Sequence, residues 1–308
     1  MGRYILRRLL QLIPVFIGTT FIIYSLVWAI PGNPFAGLCG PRGCPPAFVD
    51  QMTEQYNLDQ PLPVQYVLYL GQLFQGNFGE TFNGIEVSTL IQQSYPVTLK
   101  LATIALVFEA VIGIAAGILT ALRGKGFVDN LVLAATLFLI AVPVFVTGFV
   151  IQVVLGVQLE WIEPSVGADP GIGQLIIPGL VLGSLSMAYI ARLTRTAMFE
   201  NKRADYIRTA NAKGLKPTRV VSVHMLRNSL IPVITFIGTD FGALMGGAIV
   251  TEGVFNIHGI GGLVFSAIQG QEGVTVTGVV TLLVLVYLLM NLLVDILYAA
   301  LDPRIRYD

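Results

Sequence analysis

The chain has 308 residues, 55% of them hydrophobic and 12% charged, with a formal net charge of zero, where a soluble domain carries roughly 25% charged residues. Its mean hydropathy of +0.76 leaves too little polar surface for a water-soluble fold of this length. The basic residues track the ends of apolar runs without interleaved aromatics, which excludes a nucleic-acid surface.

Runs near the ~20 residues needed to cross a bilayer occur at Leu9–Ile30, Val97–Leu122, Leu131–Val157, Leu175–Ala197, Leu230–Val250 and Val276–Leu301. They predict an all-α polytopic membrane protein with six transmembrane helices. Pro14, Pro143 and Pro178 fall inside these runs and are expected to be tolerated, because neighbouring helices re-satisfy the freed backbone groups. The first run follows Arg3, Arg7 and Arg8. It exceeds a typical signal-peptide core, and Ile30-Pro31-Gly32-Asn33-Pro34 is a poor cleavage site, so residues 1–30 read as a retained signal anchor.

Residues 31–96 form a small extracytoplasmic segment between helices 1 and 2, opening on a Pro-Gly-Asn-Pro turn cluster. Phe48–Leu58 and Val64–Phe74 are expected as short amphipathic helices, split by Pro61-Leu62-Pro63. Cys39 and Cys44 are the two cysteines of the chain. Outside the membrane a disulfide between them is chemically permitted, and Gly40, Pro41 and Gly43 would let so short a loop close. Two free thiols in a flexible loop are the alternative. Two cysteines with no nearby His do not fill a tetrahedral metal shell.

Residues 97–308 carry the other five spans and a long loop at 199–228. Nine of the eighteen Lys and Arg fall between Arg192 and Arg227. Placing the N-terminus in the cytoplasm puts sixteen of the eighteen on the cytoplasmic side, which by the positive-inside rule sets both termini inside. Within the loop, Asp205 is expected to cap a helix over Tyr206–Lys213. Gly214 would end it in the left-handed conformation and Pro217 would start the next helix. Ala210 and Gly214, four apart, would leave a small-residue face flanked by Arg208, Lys213 and Lys216. That face suits a groove on an acidic cytoplasmic partner; the alternative is an amphipathic loop lying on anionic lipid.

The fifth span carries Gly238, Gly242 and Gly246 at four-residue spacing, a smooth face for close helix approach. It reads as an intersubunit seam, a translocation-path surface or plain packing. Gly113/Gly117 and Gly179/Gly183 repeat the spacing, and ordinary packing within one bundle is the expectation for both pairs. Residues Glu252 to Gly262, including Phe255 and Gly259, are too glycine-rich for a regular helix and too apolar for a solvated loop. They are expected as a re-entrant or surface-lying element over the outer mouth. Three acids fall in or at the edges of spans, where each should face protein or water. Asp295 is expected to pair with Arg304 or Arg306. Asp240 would line a polar pathway or be satisfied in packing, and Glu109 would serve a proton relay or a buried hydrogen bond.

No catalytic constellation appears. The chain has no HExxH, GxSxG or GxxxxGK[ST] sequence, and His224 and His258 fall on opposite sides of the membrane. No catalytic, cofactor or metal site is expected.

Five segments together resemble one family. DYIRTANAKGL followed by HMLRNSLIP, before the fifth span, resembles the coupling loop of ABC importer permeases. RRLLQLIPVFIGTTFIIYSLVWAIPGNP is similar to the opening helix and turn of the peptide-permease branch, the dipeptide, oligopeptide and nickel importers. YNLDQPLPVQYVLYLGQLFQGNFGETF, GGAIVTEGVFNIHGIGGL and VDILYAALDPRIRYD resemble that branch's outer segment, outer-mouth element and tail. The likeness is to the first of its two permease subunits. It departs at Arg208-Thr209, where other importer motifs have Glu-Ala, and at His258, where proline is common.

The resemblance implies a type I ABC importer permease fold in the bacterial plasma membrane. A second homologous permease, two cytoplasmic ATPases binding ATP and Mg, and an extracytoplasmic substrate-binding protein would complete the transporter. It further implies ATPase coupling at Tyr206, Arg208, Thr209, Ala210, Lys213, Gly214 and Leu215. Gly238, Asp240, Gly242 and Gly246 would lie at the pathway or permease seam, and Glu252, Phe255 and Gly259 at the outer mouth. Peptides are the expected cargo, with nickel or haem-type cargo the alternatives. A proton-coupled secondary transporter using Glu109 and Asp240 is the competing reading from a different class.

Overall fold

The computed structural model describes residues 2–29, 35, 44–81, 83–124, 126–245 and 248–301. Helices account for all regular structure among them, in the order α1 (Gly2–Trp28), α2 (Pro46–Gln55), α3 (Leu62–Phe74), α4 (Val87–Arg123) and α5 (Phe127–Ala141). Then come α6 (Val144–Gln158), α7 (Ile172–Lys202), α8 (Asp205–Ala212), α9 (Pro217–Met245), α10 (Ile249–Phe255), α11 (Ile260–Gln269) and α12 (Gly273–Leu301). In α1, α4, α7, α9 and α12, five helices are long and apolar enough to cross a membrane.

The third expected span, Leu131–Val157, is not a straight helix. α5 and α6 meet at a bend of 100° and count as one span only as a broken pair. Proline clashes with a helical residue before it, and Val142 accordingly stands extended, at φ −92° and ψ 124°, ahead of Pro143. Pro14 and Pro178, by contrast, lie inside continuous helices.

The chain divides into two compact units. One comprises residues 1–99, 167–169 and 245–308. Within it α1 packs on α12 and α3, and α11 packs on α10 and α12. Its core joins Val87 of α4, Ile260 and Val264 of α11, and Val279 and Leu283 of α12. Asp295 on α12 pairs with Arg8 of α1 at 3.4 Å. Arg304 and Arg306, its expected partners, lie outside the described residues.

The other unit comprises residues 100–166 and 170–244. Here α4 and α7 approach closely through the two glycine pairs. A Cβ on Gly117 would stand 2.5 Å from the Thr194 Cβ and 2.6 Å from the Ala191 carbonyl oxygen, and one on Gly183 would stand 2.9 Å from the Ala105 carbonyl oxygen. Packing within the chain therefore accounts for both pairs. Gly117→Val would drive its side chain against α7 backbone, which cannot yield as a side-chain tip can. Overpacking of this kind costs about 1–3 kcal/mol, so Gly117→Val should lower the melting temperature of the purified protein, while Gly173→Ala, with open space around it, should not.

α5 is held to α7 by a second device. Arg195 donates through Nε to Asp129 Oδ1 at 2.6 Å and through Nη2 to Oδ2 at 2.8 Å, and its guanidinium lies 4.7 Å from the Phe199 ring centroid. Asp129 is buried in the first turn of α5, where the helix dipole favours an acid.

Candidate functional site

The expected coupling loop folds as a helix–turn–helix on the end of α7. Lys213 is the C-cap of α8, and Gly214 follows with φ +74°. The Leu215 N–H donates to the Ala210 carbonyl at 3.3 Å and the Gly214 N–H to the Asn211 carbonyl at 2.9 Å. Those two bonds around a left-handed glycine make a Schellman turn. Pro217 then opens α9, where its missing N–H costs nothing.

The start of α8 differs from expectation. Ala204 is the N-cap, without a side-chain capping bond, and Asp205 is the first helical residue. Its carboxylate meets the helix dipole favourably and lies 3.4 Å from Arg208. Both partners are solvent-exposed, a geometry that contributes little.

Ala210 is a second correction. It is buried with Ile207 in a cluster formed by Ala121 of α4, Met198 of α7 and Val220 and Met225 of α9, and Leu215 packs against the same cluster. Of the small face expected to enter a partner's groove, Ala210 is thus spent on the chain's own interior, while Gly214 stays exposed. Val220 and Met225 are five apart and both buried because Val220–Met225 is a π-helical turn, whose repeat brings such residues to one side.

Three hydrogen bonds at Asn201 fasten this hairpin. Tyr206 donates its hydroxyl to Asn201 Oδ1, and Asn201 Nδ2 donates to the Ala197 carbonyl at 2.9 Å and to Ser229 Oγ at 3.1 Å. Asn201 therefore bridges α7, α8 and α9. It was not singled out from sequence, where it is one polar residue in a charged run. What α8 leaves to solvent is Asp205, Tyr206, Arg208, Thr209 and Asn211, followed by Ala212, Lys213 and Gly214.

Deeper in the same unit, Glu109 on α4 lies beside Asp240 on α9. Glu109 is fully buried. Neither of its carboxyl oxygens, nor Asp240 Oδ2, has a well-formed hydrogen bond among the described residues. Glu109 and Asp240 thus occupy one polar locus. Of the glycine run, Gly238 is half-buried and Gly242 is buried within the chain, so the run does not present a continuous open face there. Gly246 lies outside the described residues, as does Cys39, and with it the expected Cys39–Cys44 pairing.

Glu252, Phe255 and Gly259 come together at the junction of α10 and α11. The break expected from glycine content is confined to Asn256–Gly259, with Asn256 left-handed at φ 51°; regular helix resumes at Ile260. Glu252 and Phe255 are both fully buried. The Glu252 carboxylate accepts from Thr98 Oγ1 at 2.7 Å and from the Gly262 N–H at 2.8 Å, while Thr98 Oγ1 accepts from the Ile260 N–H at 2.7 Å. Glu252 and Thr98 together take up the free N–H groups that open α11. A Cβ on Gly259 would stand 2.4 Å from Glu252 Oε2 and 2.5 Å from Thr98 Oγ1, so only glycine admits this contact. Burial pushes the Glu252 carboxyl above its ordinary range, and the hydrogen bonds from Gly262, Thr98 and Gly261 oppose that shift.

Comparison with known proteins covers both ends of the chain. Residues 113–307 match the family described as binding-protein-dependent transport system inner membrane component, and residues 1–102 match the N-terminal family of the same transport systems. The chain is 37% identical to a protein of Sinorhizobium fredii named probable peptide ABC transporter permease protein y4tP, over 100% of both chains. It is 38% identical to the di/tripeptide transport system permease protein DppB of Pseudomonas aeruginosa, over 99% of both. It is 36% identical to the glutathione transport system permease protein GsiC of Escherichia coli, over 100% of both.

Proposed function

The chain belongs to the family of binding-protein-dependent transport system inner membrane components, and on that premise we propose that it is the permease subunit of an ATP-driven importer of short peptides. Likeness over the whole length of permeases named for peptides, di- and tripeptides and glutathione supports that cargo. The chain forms half of a pathway whose other half is a second, homologous permease. Two cytoplasmic ATPases supply the work, and an extracytoplasmic binding protein delivers the peptide. The protein resides in the bacterial plasma membrane with both termini in the cytoplasm, the side to which its Lys and Arg are biased.

The single observation that carries the coupling role is the two-sidedness of α8. Ile207 and Ala210 lock it to the chain's own core, while Arg208, Thr209 and Lys213 stand exposed on its other side. A helix so held passes a push on its outer side directly to α7 and α9. Arg208, Thr209 and Lys213 meet the ATPase, Tyr206 is anchored to Asn201, and Ala210, Gly214 and Leu215 hold the helix in place. Gly238 and Asp240 serve the pathway or its permease seam, Gly242 is spent on packing within the chain, and the α10–α11 junction lies at the outer mouth.

Reconstitution tests this reading. The chain, its partner permease, the ATPases and the binding protein in liposomes should accumulate labelled di- and tripeptides only with ATP inside the cytoplasmic face. Uptake by the chain alone, driven by a proton gradient, would support the secondary-transporter reading instead. ATP-driven uptake of nickel or haem without peptide would keep the machine and change its cargo.

A further inference from the structure

We infer that α3 is inserted among the acyl chains of one membrane leaflet, rather than standing in water as part of a soluble cap. The depth of its contacts carries the inference. Tyr66 of α3 donates to the Ile17 carbonyl of α1 at 2.9 Å and lies 2.7 Å from Thr20 Oγ1. Tyr69 donates to Thr281 Oγ1 of α12 at 2.9 Å. The apolar spans involved are Ile5–Trp28 and Gly273–Ile296. At 1.5 Å rise per residue, Thr20 and Thr281 each lie only about 5 Å from the middle of their span. Half the hydrocarbon thickness is about 15 Å, so both tyrosines reach well below the edge of the apolar layer.

The chemistry of α3 agrees with that depth. Its sequence, LPVQYVLYLGQLF, contains no charged residue. Its buried polar groups are matched internally, as hydrocarbon requires. Gln65 Oε1 accepts from the Tyr24 hydroxyl at 3.4 Å, and Gln65 Nε2 donates to the Gln60 and Leu58 carbonyls at 2.7 and 3.2 Å. The opposite side of the helix is apolar and uncovered within the chain, with Val67 65% and Phe74 81% exposed. Ile17 and Ile22 of α1, a helix long and apolar enough to span the bilayer, are likewise exposed. Acyl chains are therefore the occupant.

The assembled transporter in nanodiscs, with its native sequence, provides the test. A phospholipid carrying a diazirine midway along its acyl chain should, on illumination, label the peptide containing residues 62–74 as strongly as that containing α1. Hydroxyl-radical footprinting should leave Val67 and Phe74 unmodified. Radical modification of these residues without acyl-chain labelling would overturn the inference in favour of a water-exposed cap. Protection from both reagents would overturn it in favour of coverage by another protein subunit.

Discussion

Asp129→Ala should be among the most damaging single substitutions in this chain. It leaves Arg195, held at 2.6 and 2.8 Å by the Asp129 carboxylate, without its counter-charge at the contact between α5 and α7. Breaking a fully buried ion pair from one side costs about 3–5 kcal/mol, because the remaining charge is uncompensated; Arg195, the charge left here, is 23% exposed, which places the loss toward the low end of that range. The bidentate fork adds geometric specificity, and the aspartate side chain is only 3% exposed. Purified Asp129→Ala protein should therefore melt well below wild type and be recovered in lower yield. Replacing both partners, as Asp129→Leu with Arg195→Met, removes the stranded charge and should recover most of the loss. A double variant no better than Asp129→Ala would show that the pair is not what holds α5 on α7.

Gly214→Val should uncouple the transporter without unfolding it. Nothing lies within 4 Å of a Cβ built at Gly214, so the penalty is conformational. An L residue in the left-handed region costs about 1–2 kcal/mol, and β-branching makes valine a poor occupant. The turn would relax by breaking the bonds from Gly214 and Leu215 back into α8, releasing that helix from α9. Substrate-stimulated ATP hydrolysis and uptake should then fall together, by about tenfold if the turn's full penalty reaches the coupled step, with the complex recovered in normal amount. Gly214→Asn should stay close to wild type, since asparagine tolerates this conformation. Normal coupling in Gly214→Val would mean that the turn does not transmit the motion.

What sequence revealed about these sites follows the range of the interactions. The apolar runs other than Leu131–Val157, the helix-ending Gly214 and the helix-starting Pro217 are local signals, and the structure places each as expected. Asp205 misled because a good capping residue and a good first-turn acid look alike in sequence; Ala204 takes the cap position and Asp205 the dipole position. Ala210 misled because small residues suit a partner's groove and a crowded interior equally well. Pro143 was expected to be absorbed like Pro14 and Pro178, and only the extended backbone at Val142 shows the break. The Asp129–Arg195 and Thr98–Glu252 contacts join residues separated by 66 and 154 positions. No local pattern encodes pairings at that distance, although the Gly259-Ile260-Gly261-Gly262 run marks a place where something must approach closely. Glu109 and Asp240 were each recognised as costly in a span; their meeting required the fold.

In the proposed function the exposed side of α8 bears on an ATPase. A photoactivatable benzophenone side chain at position 208, on the face that the chain leaves open, measures this most directly in the assembled, transport-competent complex. A covalent adduct between this chain and an ATPase subunit is expected, its yield changing between nucleotide-free and ATP-bound states. Adducts to lipid alone in a complex that still transports would contradict it.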